Sequence, residues 1–154
     1  MVTTLFFDTS ALLKRYVDEP GSSWLRSLME NERDLLITSV VTRVEVACAL
    51  ARRQREGHLS PALRHELWRA FQFDLTYRLQ TLKVGLDVLN VAEAFAFQHP
   101  LRAYDAMQLA SAHVANRRLL RGNRPALTFL SADIRLLDVA HQIGFAVDNP
   151  QAHL

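Results

Sequence analysis

The chain of 154 residues is long enough for one domain with a full core, and its 49% apolar and 22% charged residues exclude a disordered chain. The formal net charge is +2, and all 18 basic residues except Lys14 and Lys83 are arginines. No apolar run approaches the roughly 20 residues that span a bilayer, and no signal peptide is seen, so a cytoplasmic protein without membrane contact is expected.

The predicted elements alternate between strands and helices. Strands are predicted at 4–7, 35–38, 79–84, 126–130 and 145–147. Helices are predicted at 10–16, from Ser22, at 39–56 with Ser39 as the cap, from Ser60, and at 86–98, 104–119 and 134–142. The alternation predicts one α/β domain, a parallel sheet covered by helices, over residues 1–148. A short tail, 149–154, is expected to fray.

Two acids follow apolar strands directly at predicted helix starts. Asp8 comes after Thr4–Phe7 and before two residues that suit a helix start, and Asp133 repeats this pattern after the strand at 126–130. Ligands of parallel α/β sheets bind outside the carboxyl ends of the strands. Each acid is therefore either a helix cap or part of a site at that edge.

Two further acids belong to predicted helices. Asp105 lies in the first turn after the break at Pro100, where an acid can simply stabilise the helix. Glu45 lies in the segment 40–50, which is apolar on most sides and therefore predicts burial of the helix, including the only cysteine, Cys48. A buried ionised Glu45 requires either an arginine partner, such as Arg43 or Arg15, or a metal ion.

Carboxylates gathered in one pocket repel each other, and a bound divalent cation removes that repulsion. Oxygen ligands without cysteine or a close histidine pair indicate Mg²⁺ or Mn²⁺ rather than zinc. Such an ion can activate water and stabilise charge on a phosphate. The four acids therefore predict hydrolysis of a phosphodiester or phosphate ester.

With these acids identified, the sequence resembles a PIN domain, and specifically the VapC toxins of bacterial toxin–antitoxin pairs. Four segments carry the resemblance, which extends over nearly the whole chain: Phe7–Leu12, Val44–Val46, Arg102–Ala110, and Leu130–Leu137 leading to Gly144 and Phe145. The resemblance implies a single α/β/α domain, with a sheet of about five short parallel strands flanked by helices. It also implies a metal-dependent ribonuclease.

The resemblance assigns roles to particular residues. Asp8 and Asp105 correspond to direct Mg²⁺ ligands, with Mn²⁺ as a substitute, and Glu45 and Asp133 complete the catalytic pocket directly or through water. Thr9 or Ser131 is expected to orient water or phosphate. The resemblance further implies a homodimer, an RNA substrate and a VapB-like antitoxin that covers the active site.

Alternatives remain at this point. A PIN domain that cuts slowly or not at all could act as an RNA- or protein-binding module, although the four acids argue against it. A phospho-receiver domain is disfavoured because it needs paired acids at the first strand.

Two arginine groups are candidates for guiding RNA through phosphate contacts. These are Arg52, Arg53 and Arg55 in the 39–56 helix, and Arg117, Arg118, Arg121 and Arg124 around the 122–125 turn.

Overall fold

The computed structural model describes residues 2–153 and contains a five-stranded sheet. The strands are β1 (Thr4–Phe7), β2 (Leu35–Ser39), β3 (Leu79–Leu82), β4 (Thr128–Leu130) and β5 (Ala146–Asp148). Their spatial order is β3-β2-β1-β4-β5, and every neighbouring pair is parallel. The predicted parallel α/β sheet of five short strands is confirmed.

Helices cover both faces of this sheet. Within residues 2–153 the α-helices are α1 (Thr9–Leu12), α2 (Ser22–Met29), α3 (Thr42–Arg55), α4 (Pro61–Tyr77), α5 (Leu86–Gln98), α6 (Ala103–Arg121) and α7 (Ile134–Ile143). One core joins a sheet face to α1–α4, the other joins the opposite face to α6 and α7, and α5 packs on α6. The three-layer α/β/α architecture is confirmed. Over the described residues, none of these helices is long and apolar enough to cross a membrane.

The central strand β1 contributes side chains to both cores. Leu5 and Phe7 lie in the core beneath α1–α4, whereas Phe6 lies in the other, stacked on Phe129 with ring centroids 5.7 Å apart. Successive side chains of a strand point to opposite faces. An uninterrupted apolar run is therefore what a strand covered on both sides requires.

The strand order places the sheet's switch point at β1. The chain leaves β1 for β2 on one side, while β4 pairs with β1 on the other. A crevice forms outside the carboxyl ends of strands at such a point. Asp8 follows β1 and Ser131 follows β4, so both residues lie at this crevice, and the Asp8 N–H donates to the Leu130 carbonyl over 3.0 Å.

Several predicted boundaries differ from the observed ones. β3 ends at Leu82 and β4 begins at Thr128, so both are shorter than predicted. The predicted helix at 10–16 is divided into α1 and a 3-10 turn at Leu13–Arg15. Ser39 is the last residue of β2 rather than a helix cap, because two further residues separate it from the start of α3 at Thr42.

The predicted burial of α3 and of Cys48 is wrong. Only one side of α3 enters the core, through Val46 and Leu50, while Val44 is 56% exposed and the Cys48 side chain is exposed. Val44 and Cys48 line an open cleft beside the predicted acids. An apolar residue that faces a cleft has the same spacing in the sequence as one that faces a core.

The end of the chain is also more ordered than predicted. Pro150–Ala152 forms a 3-10 turn with Pro150 buried, and the His153 ring stacks on Trp24 with centroids 3.9 Å apart. The turn packs against Gly21, which has φ +89° and where an added Cβ would approach the Pro150 carbonyl oxygen to 2.3 Å. The expectation that the tail frays is therefore wrong for residues 150–153, and residue 154 lies outside the described residues.

Candidate active site

Asp8 is a buried carboxylate whose two oxygens both accept hydrogen bonds. Oδ1 accepts from the Ser10 hydroxyl at 2.8 Å and the Ala11 N–H at 2.9 Å, which makes Asp8 the N-cap of α1. Oδ2 accepts from the Ser131 hydroxyl at 2.7 Å. The Ser131 oxygen in turn accepts the Asp133 N–H at 3.0 Å, so the Asp8 carboxylate fixes the loop that carries Asp133.

Burial raises the pKa of Asp8 to about 6. The hydrogen bonds from Ser131, Ala11 and Ser10 favour the ionised form and act in the opposite direction, whereas the negative charge of Glu45 raises the pKa further. Asp8 is therefore both a helix cap and a carboxyl group held in an environment unfavourable to its charge.

Glu45 faces the same crevice from α3. Its Oε1 accepts hydrogen bonds from the Thr9 hydroxyl and the Gln108 amide, both at 2.9 Å. Arg15, one of its two candidate partners, pairs with Asp74 instead, with Nε 2.5 Å from Oδ2. Across residues 2–153 no basic group lies within ion-pair distance of Glu45, so the alternative of an arginine partner does not hold there.

Asp105 and Asp133 reach the crevice from the starts of α6 and α7. Asp133 caps α7 and accepts backbone N–H bonds from Arg135 and Leu136 at 2.9 and 3.4 Å. Burial raises the pKa of the half-buried Asp105, and the charges of Asp133 and Glu45 raise it further. Glu45, Asp105 and Asp133 line one cleft of about 360 Å³.

The four predicted acids thus lie around one crevice, although they come from distant parts of the sequence. Asp8 follows β1, Glu45 lies on α3, Asp105 lies in the first turn of α6 and Asp133 is the N-cap of α7. Beyond the larger effect of burial, the charge of Glu45 raises the pKa of Asp8, and the charges of Asp133 and Glu45 raise the pKa of Asp105. In the part of the chain that the structure describes, no three His, Cys, Asp or Glu side chains already enclose a position for a metal ion.

The residues nevertheless fit a hydrated Mg²⁺ or Mn²⁺. Mg²⁺ keeps several waters and is typically held by only one or two carboxylates, so it does not require a closed set of three. The crevice offers carboxylate oxygens beside an open cleft.

Gln108 is the site residue that the sequence analysis missed. Its side chain is buried, and Nε2 lies 2.9 Å from Glu45 Oε1, 2.9 Å from Thr42 Oγ1 and 3.2 Å from Thr9 Oγ1. A signal for it exists: Gln108 lies three residues after Asp105, hence on the same helix face, and is polar among apolar neighbours.

We expect Gln108→Ala to lower the affinity for Mn²⁺ by roughly 10–100-fold, the usual cost of losing a group that orients a ligand. The physical reason is that Glu45 Oε1 loses one of its two donors. Isothermal titration with Mn²⁺ measures this, with the exposed Gln72→Ala as the matched control. An affinity equal to that of the control, in a variant that remains folded, would exclude this role.

The two predicted substrate-binding hydroxyls both contact carboxylates. The Thr9 hydroxyl donates to Glu45 and the buried Ser131 hydroxyl donates to Asp8. Thr9 also lines the wider cleft beside the acids, whereas Ser131 has no exposed surface. Both residues orient acids, and a direct contact with substrate stays a prediction.

Comparisons with known proteins agree with this fold. The family model described as PIN domain matches residues 5–141. Ribonuclease VapC47 from Mycobacterium tuberculosis (strain CDC 1551 / Oshkosh) is 28% identical over 157 residues, which cover 96% of this chain and 98% of that protein.

Solved structures are similar over the same extent. VapBC2 from Rickettsia felis, bound to a DNA fragment from their promoter, matches with a TM-score of 0.65 at 12% identity, covering 96% of this chain and 98% of that chain. FitAcB from Neisseria gonorrhoeae matches with a TM-score of 0.62 at 18% identity, covering all of both chains. A toxin-antitoxin complex from Klebsiella pneumoniae has a TM-score of 0.61 at 15% identity, covering 95% and 97%. These structures share the fold of this chain.

Proposed function

The chain belongs to the PIN domain family, and we propose that it is a divalent-metal-dependent endoribonuclease, the toxin of a VapBC-type toxin–antitoxin pair. One observation carries the proposal: four carboxylates surround one crevice, and within residues 2–153 none of them has a basic group at ion-pair distance. The similarity to a protein named Ribonuclease VapC47 over nearly the whole chain supports RNA as the substrate.

Asp8 and Asp105 would hold Mg²⁺ or Mn²⁺ directly, and Glu45 and Asp133 would complete the pocket, directly or through water. When bound, the ion supplies Lewis acidity, which makes water a better nucleophile and stabilises negative charge on the phosphate. A nearby cation also favours the ionised forms of Asp8 and Asp105, whose pKa values are raised in its absence.

The chain's own contribution is to hold these acids in orientation. The hydroxyls of Ser10 and Ser131 hold Asp8, and Thr9 and Gln108 hold Glu45. Because these partners are themselves fixed by the fold, little rearrangement is needed when substrate arrives.

The test is cleavage of a panel of RNAs and of single-stranded DNA in Mg²⁺, in Mn²⁺ and in EDTA. Cleavage of RNA in either metal and not in EDTA is expected. Cleavage of single-stranded DNA at the same rate as RNA would contradict the proposal that the enzyme is specific for RNA. RNA binding without cleavage in either metal would favour the alternative, a silent PIN domain that acts as a binding module.

We also propose an antitoxin partner that covers the active site and places a basic side chain in the acidic pocket. Toxin–antitoxin complexes among the structures of the same fold support this, as does the negative charge of the crevice. Growth arrest on expression, relieved by co-expression of a small protein encoded upstream, is the expected result.

The proposed homodimer is supported by an exposed apolar face on α5. Leu86, Leu89 and Phe97 lie on one side of that helix, and Phe97 is 94% exposed.

We expect the wild type to sediment as a dimer and Phe97→Glu to sediment as a monomer, because a charge in an apolar interface is left without a partner. The control is Leu120→Glu, an exposed leucine on another helix. A monomeric wild type, or a dimeric Phe97→Glu, would contradict this interface.

A further inference from the structure

Two clefts meet at the acidic crevice. The larger, of about 750 Å³, extends along α3 and is called here the α3 cleft. The smaller, of about 360 Å³, lies beside the start of α7 and is called the α7 cleft. Both are lined by the same residues where they join: Glu45, Arg102, Tyr104 and Asp133. The acids therefore stand in the middle of a continuous depression rather than at the end of a closed pocket.

The wall of the α3 cleft changes from apolar to basic with distance from Glu45. Val44, Cys48, Arg52 and Arg55 all line it and are spaced so that they share one face of α3. A helix rises 1.5 Å per residue, which places Arg52 about 10 Å and Arg55 about 15 Å along the axis from Glu45. A strand that leaves the acids along this wall meets positive charge beyond an apolar stretch.

On the α3 wall of this cleft, Arg52 and Arg55 carry the available positive charge, and the exposed Arg102 adds another guanidinium group where the two clefts join. Arg53 pairs with Glu19, which also pairs with the buried Lys14 at 3.0 Å. In contrast, Arg52 and Arg55 are exposed and, within residues 2–153, neither lies at ion-pair distance from a carboxylate.

The α7 cleft has a basic residue of its own. Arg135, two residues after Asp133 in the sequence, lines the α7 cleft. Its side chain is exposed and, over the described part of the chain, forms no ion pair. Free arginines thus stand on both sides of the acids. Exposed guanidinium groups bind phosphate oxygens in a fixed bidentate geometry.

We propose that the RNA strand lies through both clefts, with the scissile phosphate at the acids and flanking backbone phosphates bound by Arg52 and Arg55 on one side and by Arg135 on the other. This inference rests on the proposed ribonuclease function. It assigns these arginines to substrate binding on both sides of the cut, as internal cleavage of a strand requires.

The other basic group, around the turn at 122–125, is placed unfavourably for this role. The helix α6 begins beside the acids and has 19 residues, so the helix is about 28 Å long and its last turn lies far from the acids. Arg118 also pairs with Asp87 at 3.2 Å. Arg117 and Arg121 are exposed and line neither cleft, and they provide a matched control.

The experiment compares three variants with the wild type on a single-stranded RNA that the wild type cleaves, at fixed Mg²⁺ and varied KCl. Arg52→Ala/Arg55→Ala is expected to raise KM about tenfold, and Arg135→Ala by a smaller factor, because the lost contacts are charge-assisted hydrogen bonds to the RNA backbone. In both variants kcat should stay within about twofold of wild type. Each lost phosphate contact should reduce the slope of log KM against log salt by about 0.7. Arg117→Ala/Arg121→Ala should leave KM and slope unchanged.

Three results would overturn the inference. If KM and the slope of log KM against log salt match those of the control in both cleft variants, the clefts do not bind the RNA backbone. A protein partner would then be the candidate ligand of the clefts. If kcat falls while KM and slope stay unchanged, the arginines act on the acids rather than on substrate binding. If the wild type cleaves no RNA, the proposed function itself fails, a result distinguished from the others before any arginine is compared.

Discussion

Replacing Asp105 with asparagine is expected to abolish RNA cleavage, lowering kcat/KM by at least roughly 10²–10³-fold, the usual effect of removing one preorganised polar group from an active site. Asp105 lies in the first turn of α6 at the acidic crevice, and its pKa is raised by burial and by the charges of Asp133 and Glu45. The amide keeps the shape of the side chain but not its charge, so it cannot attract a divalent cation.

Cleavage assays on both proteins, purified side by side, measure this effect. The matched control is Asp138→Asn, which removes an exposed carboxylate of α7 that lines neither cleft. Full activity in the control and none in Asp105→Asn is the expected pattern. Equal cleavage by Asp105→Asn and wild type would mean that Asp105 does not belong to the active site.

Replacing Asp8 with asparagine is expected to abolish cleavage and, in metal-free protein at pH 8, to raise the thermal midpoint by roughly 5 °C. Burial raises the pKa of Asp8 from 3.8 in the reference state to about 6. The folded protein therefore binds the Asp8 proton more tightly than the unfolded chain does. Above pH 6 the ionised carboxylate lowers the free energy of unfolding by about 3 kcal/mol, an amount that asparagine recovers in part.

The sign of this linkage predicts a particular dependence on pH. As the pH falls from about 7 to about 4, protonation of Asp8 raises the free energy of unfolding of the wild type. The higher thermal midpoint of Asp8→Asn relative to the wild type should therefore shrink over the same range. Added Mg²⁺ should stabilise the wild type and not the variant, because only a state that binds the ion gains from it. A lower thermal midpoint for Asp8→Asn in EDTA at pH 8 would contradict this account. Asp138→Asn again serves as the control.

These two predictions describe a trade of stability for function at the end of β1. The hydrogen bonds from Ser10, Ala11 and Ser131 lower the pKa of Asp8, yet they do not offset its burial. The proposed cation would account for a carboxylate kept in this position without a basic partner.

Much of the fold could be predicted from the sequence because local patterns agree with the tertiary structure. The apolar run before Asp8 became a strand buried on both faces, and α5 was predicted with its observed ends at Leu86 and Gln98. In both cases the residues that form the element also determine its ends.

The sequence was less informative wherever a residue's role depends on distant partners. Gln108 was missed because its three hydrogen-bond acceptors come from α1 and α3. Cys48 was predicted to be buried because helical spacing does not distinguish a side chain facing a core from one facing a cleft. The tail is ordered by its packing on Trp24 and Gly21, which no local pattern reveals.

The same limit applies to the candidate site. Asp8, Asp105 and Asp133 were identified from strand ends and helix starts, and Glu45 from its place in an apolar helix segment. Their arrangement around one crevice follows from the strand order, which places β4 beside β1. The two clefts that meet at the acids, and the difference between Arg52 and the paired Arg53, depend on packing between helices.

The most direct test of the central claim is one RNA cleavage reaction that is stopped with EDTA and then restarted with excess Mg²⁺, with Asp105→Asn followed in parallel. We predict that wild-type cleavage stops in EDTA, resumes at its former rate when Mg²⁺ is restored, and is absent from the variant throughout. Cleavage that continues in EDTA, or that also resumes in Asp105→Asn, would contradict a metal-dependent nuclease centred on these acids.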